Sequence, residues 1–164
     1  HLVFSADERT GYLMTEYTGE LYRLSRDPDT GLLTSAESVR AYNTELGLAD
    51  SHLGADPLEE PLVWGADVHL AGTAGEWVVA SERSGSTLAT VAVDGDGRLG
   101  EVVALTPTLR QPRGFATSPD GRWLVAVGEK ATDAVVYRVG EAGALVDVSR
   151  APTGNGANWV RFVH

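Results

Sequence analysis

Apolar residues in this chain alternate with polar ones or gather in short runs, and Gly, Asp, Pro or Ser interrupts nearly every run. A period near two with frequent breakers predicts β-strands, whereas a helix would repeat its apolar positions every three or four residues. The first strands are "HLVFSA", "YLMTE", "ELYRLS" and "LLTSAESV", followed by "DVHLA", "EWVVASE", "TLATVAV" and "GEVVALT". A third set reads "GFATS", "WLVAVGE", "AVVYRV" and "LVDVSRA", and "NWVRFV" closes the chain. Turn strings such as "PDTG", "DGDG", "SPDG" and "EAG" join them, since Gly tolerates positive φ and Asp and Ser bond their own backbone.

The strand sets repeat. Superposing Glu16, Arg83 and Glu129 brings them into register, with separations of 67 and 46 residues. The longer separation contains an inserted loop, residues 41–64, rich in Asp, Glu, Gly and Pro. Four antiparallel strands per unit of about 40–50 residues is the signature of a β-propeller blade. The expected fold is all-β, a single partial β-propeller domain over residues 1–164. Its blades fall near 1–40, 66–107 and 112–151, with a closing strand at 158–163. Propellers use about four to eight blades, so three cannot close a ring. The chain is expected to be the C-terminal part of a longer propeller whose N-terminal half is its partner.

Charge narrows the function. A net charge of −10 opposes binding to nucleic acid or anionic membrane surfaces. There is no cysteine, which removes thiolate chemistry and fits a reducing compartment. With no apolar run long enough to span a bilayer, a cytoplasmic location is expected. "DGDGRLGEVVAL" begins like a calcium loop. However, Arg98 stands at its fifth position, Leu99 replaces the glycine and Leu105 replaces the final glutamate. Neither a metal nor a cofactor is expected.

Blade equivalence proposes a site. Asp67, Arg113 and Asn158 stand just ahead of successive inner strands, and Glu16, Arg83 and Glu129 end successive second strands. Strands within a blade run outward from the axis, so these carboxylates and guanidinium groups are expected to meet on one rim.

The strings "WGADVH" (64–69), "ER" (82–83), "QPRGF" (111–115), "VGEK" (127–130) and "GNGANWVRFV" occur in order along the chain. Together they resemble the C-terminal half of the seven-bladed propeller lactonases, typified by bacterial 6-phosphogluconolactonase. The opening "HLVFSADERTGYLMTE" is similar to that family's Pro-Arg-His strand and to the Asn-Glu ending the next one. Here the Pro and Arg would lie before residue 1, and Thr15 replaces the Asn. The resemblance implies a metal-independent lactone hydrolase, acting on 6-phosphogluconolactone in the oxidative pentose phosphate route. It also implies a catalytic histidine and another arginine upstream of His1, which makes this chain alone an incomplete catalyst.

Opening a cyclic ester needs a base to activate water and donors for the developing oxyanion. Glu16 is the candidate base. Arg83 is the candidate for holding negative charge or a substrate phosphate, because its planar fork matches both carboxylate and phosphate. Arg113 shares that work, Asp67 orients an arginine or binds sugar hydroxyls, and His69 points to the same side as Asp67. Plainer readings stand beside these: Asp67 and Glu129 as structural ion pairs, His69 as a packing residue, and His52 as solvated. The four tryptophans read as core or inter-blade packing, with Trp64 also able to line the mouth. Two alternatives to a phosphogluconolactonase remain: a non-catalytic propeller binding a ligand or protein, and a muconate-lactonising relative.

Overall fold

The computed structural model describes residues 1–163. Twelve strands form three four-stranded antiparallel sheets, each built from consecutive strands. The first contains β1 (Leu2–Phe4), β2 (Thr10–Met14), β3 (Glu20–Arg26) and β4 (Leu33–Arg40). The second contains β5 (Gly65–Ala71), β6 (Trp77–Glu82), β7 (Thr87–Val93) and β8 (Leu99–Pro107). The third contains β9 (Gly114–Thr117), β10 (Trp123–Val127), β11 (Asp133–Val139) and β12 (Leu145–Pro152). The sheets stack as blades, with the inner strands β1, β5 and β9 packed side by side.

Stacking explains the apolar pattern. In β6, Val78 and Ala80 join Tyr12, Met14 and Leu21 between the first two blades. Val79, on the opposite side of the pleat, joins Phe115, Leu124 and Val135 between the second and third. A middle blade is covered on both faces, so its strand reads as a continuous apolar run. Each fully buried Val, Leu or Phe contributes about 1.5–3 kcal/mol, and these two interfaces hold the blades together. The outer strands β4 and β12 are mostly exposed and read as polar alternation.

The inserted segment is anchored rather than free. Its first residues Ala41 and Tyr42 and its late residues Leu62 and Val63 are buried. Between them lie a 3-10 turn at Thr44–Leu46, N-capped by Asn43, and a parallel bridge between Ala49 and Leu62. The closing strand expected at residues 158–163 does not form: these residues carry no strand pairing. A strand is defined by its ladder, and this segment has no hydrogen-bonded neighbour strand among the described residues. It still packs on the third blade, since a Cβ added to Gly114 would lie 2.4 Å from the Asn158 carbonyl oxygen.

Adjacent blades touch closely at the inner rim. The Gly65 N–H donates to the Glu16 carbonyl at 2.8 Å, and a Cβ at Gly65 would lie 2.2 Å from the Thr15 carbonyl oxygen. Only glycine allows the end of β2 to meet the start of β5 in this way.

Candidate functional site

The rim is built from the ends of β2 and β6, the stretch leading into β9 and the turn after β10. Arg83 follows β6, and its guanidinium pairs with the Glu129 carboxylate. The same guanidinium lies over the Trp64 ring, 3.3 Å from its centroid, in cation–π contact. Trp64 donates its indole Nε1–H to Glu16 Oε1 at 2.9 Å. Arg113 Nε stands 4.0 Å from Glu129 Oε1. Glu16, Trp64, Arg83, Glu129 and Arg113 therefore form one continuous chain of contacts drawn from three blades. Glu16 and Arg113 also line a common recess of about 80 Å³ together with His1.

Exposure separates the two arginines. The Arg83 side chain is 4% exposed and that of Arg113 48%. Burial draws the Arg83 pKa below the ordinary arginine value, while the Glu129 carboxylate acts in the opposite direction. Among the described residues the buried Arg83 Nε has no hydrogen-bond partner. Arg83 is thus a fixed charge inside the rim, and Arg113 is the guanidinium that reaches solvent.

Asp67 and His69 belong to an adjoining cluster. The register of β5 shifts between Gly65 and Val68, where a β-bulge inserts an extra residue. This corrects the expected equivalence: Val68 faces Ala80 as Phe115 faces Ala126, so Asp67 matches Gly114 and not Arg113. The bulge carries Asp67 into the interior, 4% exposed. There its Oδ1 accepts from the Val68 N–H and its Oδ2 from the Phe115 N–H, at 2.9 and 3.1 Å. His1 Nδ1 lies 2.5 Å from Oδ1, and His69 Nε2 lies 3.3 Å from Oδ2. The His69 ring also meets Phe115 edge-on, with centroids 4.9 Å apart. Asp67 orients two imidazoles rather than an arginine. These side chains, with Trp159, line a pocket of about 310 Å³, and His1 borders both this pocket and the recess.

Sequence reasoning missed two contributors, Glu82 and His1, and the full role of a third. Glu82, 1% exposed, accepts backbone N–H bonds from Trp64, Ser84 and Gly85. No local signal marks it, since the side chains that usually accept from nearby backbone in turns are Ser, Thr, Asn and Asp. His1 precedes Leu2, which pairs with Leu13 as Val68 pairs with Ala80, so the ladder alone places it level with Asp67. Trp64 was legible as a mouth residue but not as a bridge. Among the described residues the His52 ring, in the insert, bonds only the adjacent Leu53 carbonyl. Among the described residues no group of His, Asp or Glu is arranged to hold a metal ion, and no helix is long and apolar enough to cross a membrane. A larger concavity of about 920 Å³ opens at the other end of the strands. It is lined by turn residues such as Asp7, Asp94 and Asp120, and none of the rim residues reaches it.

Three stacked four-stranded blades with charged strand ends gathered at one inner rim define this protein as part of a β-propeller. A family model described as a lactonase, 7-bladed beta-propeller, matches residues 1–162, and the chain belongs to that family. Among curated relatives, a 6-phosphogluconolactonase from Yersinia enterocolitica is 36% identical over 167 residues, covering 99% of this chain and 45% of the relative. A crystal structure of a Lactobacillus plantarum protein superposes with a TM-score of 0.81 at 25% identity, covering all of this chain and 44% of that one. The periplasmic gluconolactonase of Pseudomonas aeruginosa gives a TM-score of 0.72 at 23% identity, over 96% of this chain and 40% of that one, a likeness of fold. The chain spans less than half the length of these relatives, consistent with the C-terminal half of a seven-bladed ring.

Proposed function

We propose that this rim opens a sugar lactone by attack of water, with 6-phosphogluconolactone as substrate. The reading is carried by one observation: the Glu16 carboxylate and the half-exposed Arg113 guanidinium line the same recess, backed by the buried Arg83 in its pair with the partly exposed Glu129. Glu16 takes a proton from water, and the hydroxyl oxygen bonds to the lactone carbonyl carbon. Arg113 donates to the oxyanion as it develops, and Arg83 adds a fixed positive charge behind it. The carbonyl then reforms, the ring C–O bond breaks, and the alkoxide takes up the proton, leaving a hydroxy acid.

The name of the Yersinia relative, a 6-phosphogluconolactonase, supports the substrate. The proposal includes a cytoplasmic setting. It also includes the remaining blades of the ring as the partner that completes the site. A muconate-type lactone would use the same carboxylate and guanidinium, so the substrate assignment rests on comparative turnover.

The test follows release of acid from 6-phosphogluconolactone above the spontaneous rate by the complete ring, this chain joined to its remaining blades, for wild type and Glu16→Gln. A general base contributes about 10²–10⁴-fold, so Glu16→Gln is expected to lose at least a hundredfold in kcat while keeping its thermal midpoint. Unchanged turnover would assign the rim to ligand binding without catalysis.

A further inference from the structure

Trp64 stands at an unusual junction. One edge of its indole donates to the Glu16 carboxylate and its face carries the Arg83 guanidinium, so it lies between two opposite charges of the rim. Its backbone is held as firmly as its side chain. The Trp64 N–H donates to Glu82 at 2.9 Å, and its carbonyl accepts from the Arg83 N–H at 2.9 Å. The preceding residues are latched as well. Val63 donates to the Ala49 carbonyl, and the Leu62 carbonyl accepts from Ser84 Oγ at 2.6 Å. The inserted segment, the one departure from the blade repeat, therefore ends by presenting this indole to the rim.

We propose that Trp64 is a positioning residue of the rim: its N–H fixes the Glu16 carboxylate while its ring keeps the Arg83 guanidinium stacked and apart from it. The inference rests on the reading of Glu16 as the base. A guanidinium beside a free carboxylate forms a bidentate ion pair, and such a pair would occupy the oxygens that must take the proton from water. The indole prevents this by satisfying one oxygen only. Among the described residues Glu16 Oε2 receives no hydrogen bond, while Oε1 is engaged by Trp64. The other charged or titratable groups around this carboxylate are Arg113 and His1 across the recess and Glu129 beyond Arg83. Only Trp64 bonds to it through a side chain.

Two measurements test this on the complete ring that contains this chain. The first is the indole Nε1–H resonance of Trp64 in 1H–15N spectra of wild type and Glu16→Gln. The expected result is a shift and faster solvent exchange for this indole alone; identical spectra would overturn the contact. The second is turnover of 6-phosphogluconolactone by Trp64→Phe and Trp64→Leu. Phe keeps an aromatic face beneath Arg83 but has no N–H, so kcat is expected to fall about tenfold with KM within about twofold. Leu loses both functions, and both kcat and KM are expected to worsen. Wild-type kcat in Trp64→Phe would overturn the positioning role. Absence of turnover in the wild-type complete ring would defeat the lactonase reading instead, and the resonance measurement would then decide the Trp64–Glu16 link by itself.

Discussion

Glu82→Gln is the substitution that most sharply separates the frame of the rim from its chemistry. The Glu82 carboxylate touches neither Glu16 nor Arg113. It binds the Trp64 N–H and the Ser84 N–H through Oε1 at 2.9 Å each, and the Gly85 N–H through Oε2 at 2.6 Å. It thereby clamps both the residue that carries the indole and the turn that follows Arg83. In glutamine Oε1 can still accept two of these bonds, but the amide nitrogen then faces the Gly85 N–H, donor against donor. The loss of one charge-assisted hydrogen bond costs about 1.5–3 kcal/mol, and the stranded donor about 1–3 kcal/mol more. Relief from burying a charge offsets part of this, leaving a net loss of about 2–4 kcal/mol. For a chain of this size that lowers the thermal midpoint by roughly 5–15 °C. Circular dichroism melts of wild type and Glu82→Gln measure it directly. A midpoint within about 1 °C of wild type would show that this carboxylate does not hold the rim together.

Other consequences concern the blade contacts and pH. Gly65→Ala forces a methyl group toward the Thr15 carbonyl oxygen at 2.2 Å, so a loss of at least about 2 kcal/mol is expected by denaturant titration, accompanied by lower turnover. Burial raises the pKa values of Tyr12 and Tyr137 above 10.0, their ordinary value. For groups whose folded pKa is raised, the stabilisation is complete below the unfolded pKa and disappears as pH climbs through the folded one. Stability is therefore expected to decline above about pH 10, and melts of Tyr12→Phe and Tyr137→Phe should show a shallower alkaline decline than wild type. An unchanged alkaline slope in the double variant would refute this cause.

The blade strands were legible because side chains alternate across a pleat and the breaker residues carry their own turn chemistry. The middle blade was especially clear: β6 lies between two interfaces, so Val78, Val79 and Ala80 all had to be apolar. The convergence of residues 16, 83 and 113 was legible from blade equivalence alone, since equivalent strand ends share a rim. The bulge at Asp67 was not. It depends on a buried carboxylate finding the Val68 and Phe115 N–H groups, a gain that no periodicity records. Nor did the sequence show which arginine faces solvent, because that is decided by the Trp64 ring, delivered by an insert outside the repeat. The closing segment "NWVRFV" has the composition of a strand, but a ladder requires a neighbour as well as a pattern.

The central claim is that a sugar acid is handled at this inner rim and not in the larger concavity at the other end of the strands. Titrating 6-phosphogluconate, the product of the proposed reaction, into the 15N-labelled chain tests it most directly. The expected perturbations fall on Glu16, the Trp64 indole, Arg113 and Glu129. Perturbations confined to the turns at Asp94–Gly97 and Ser118–Gly121 would contradict the account.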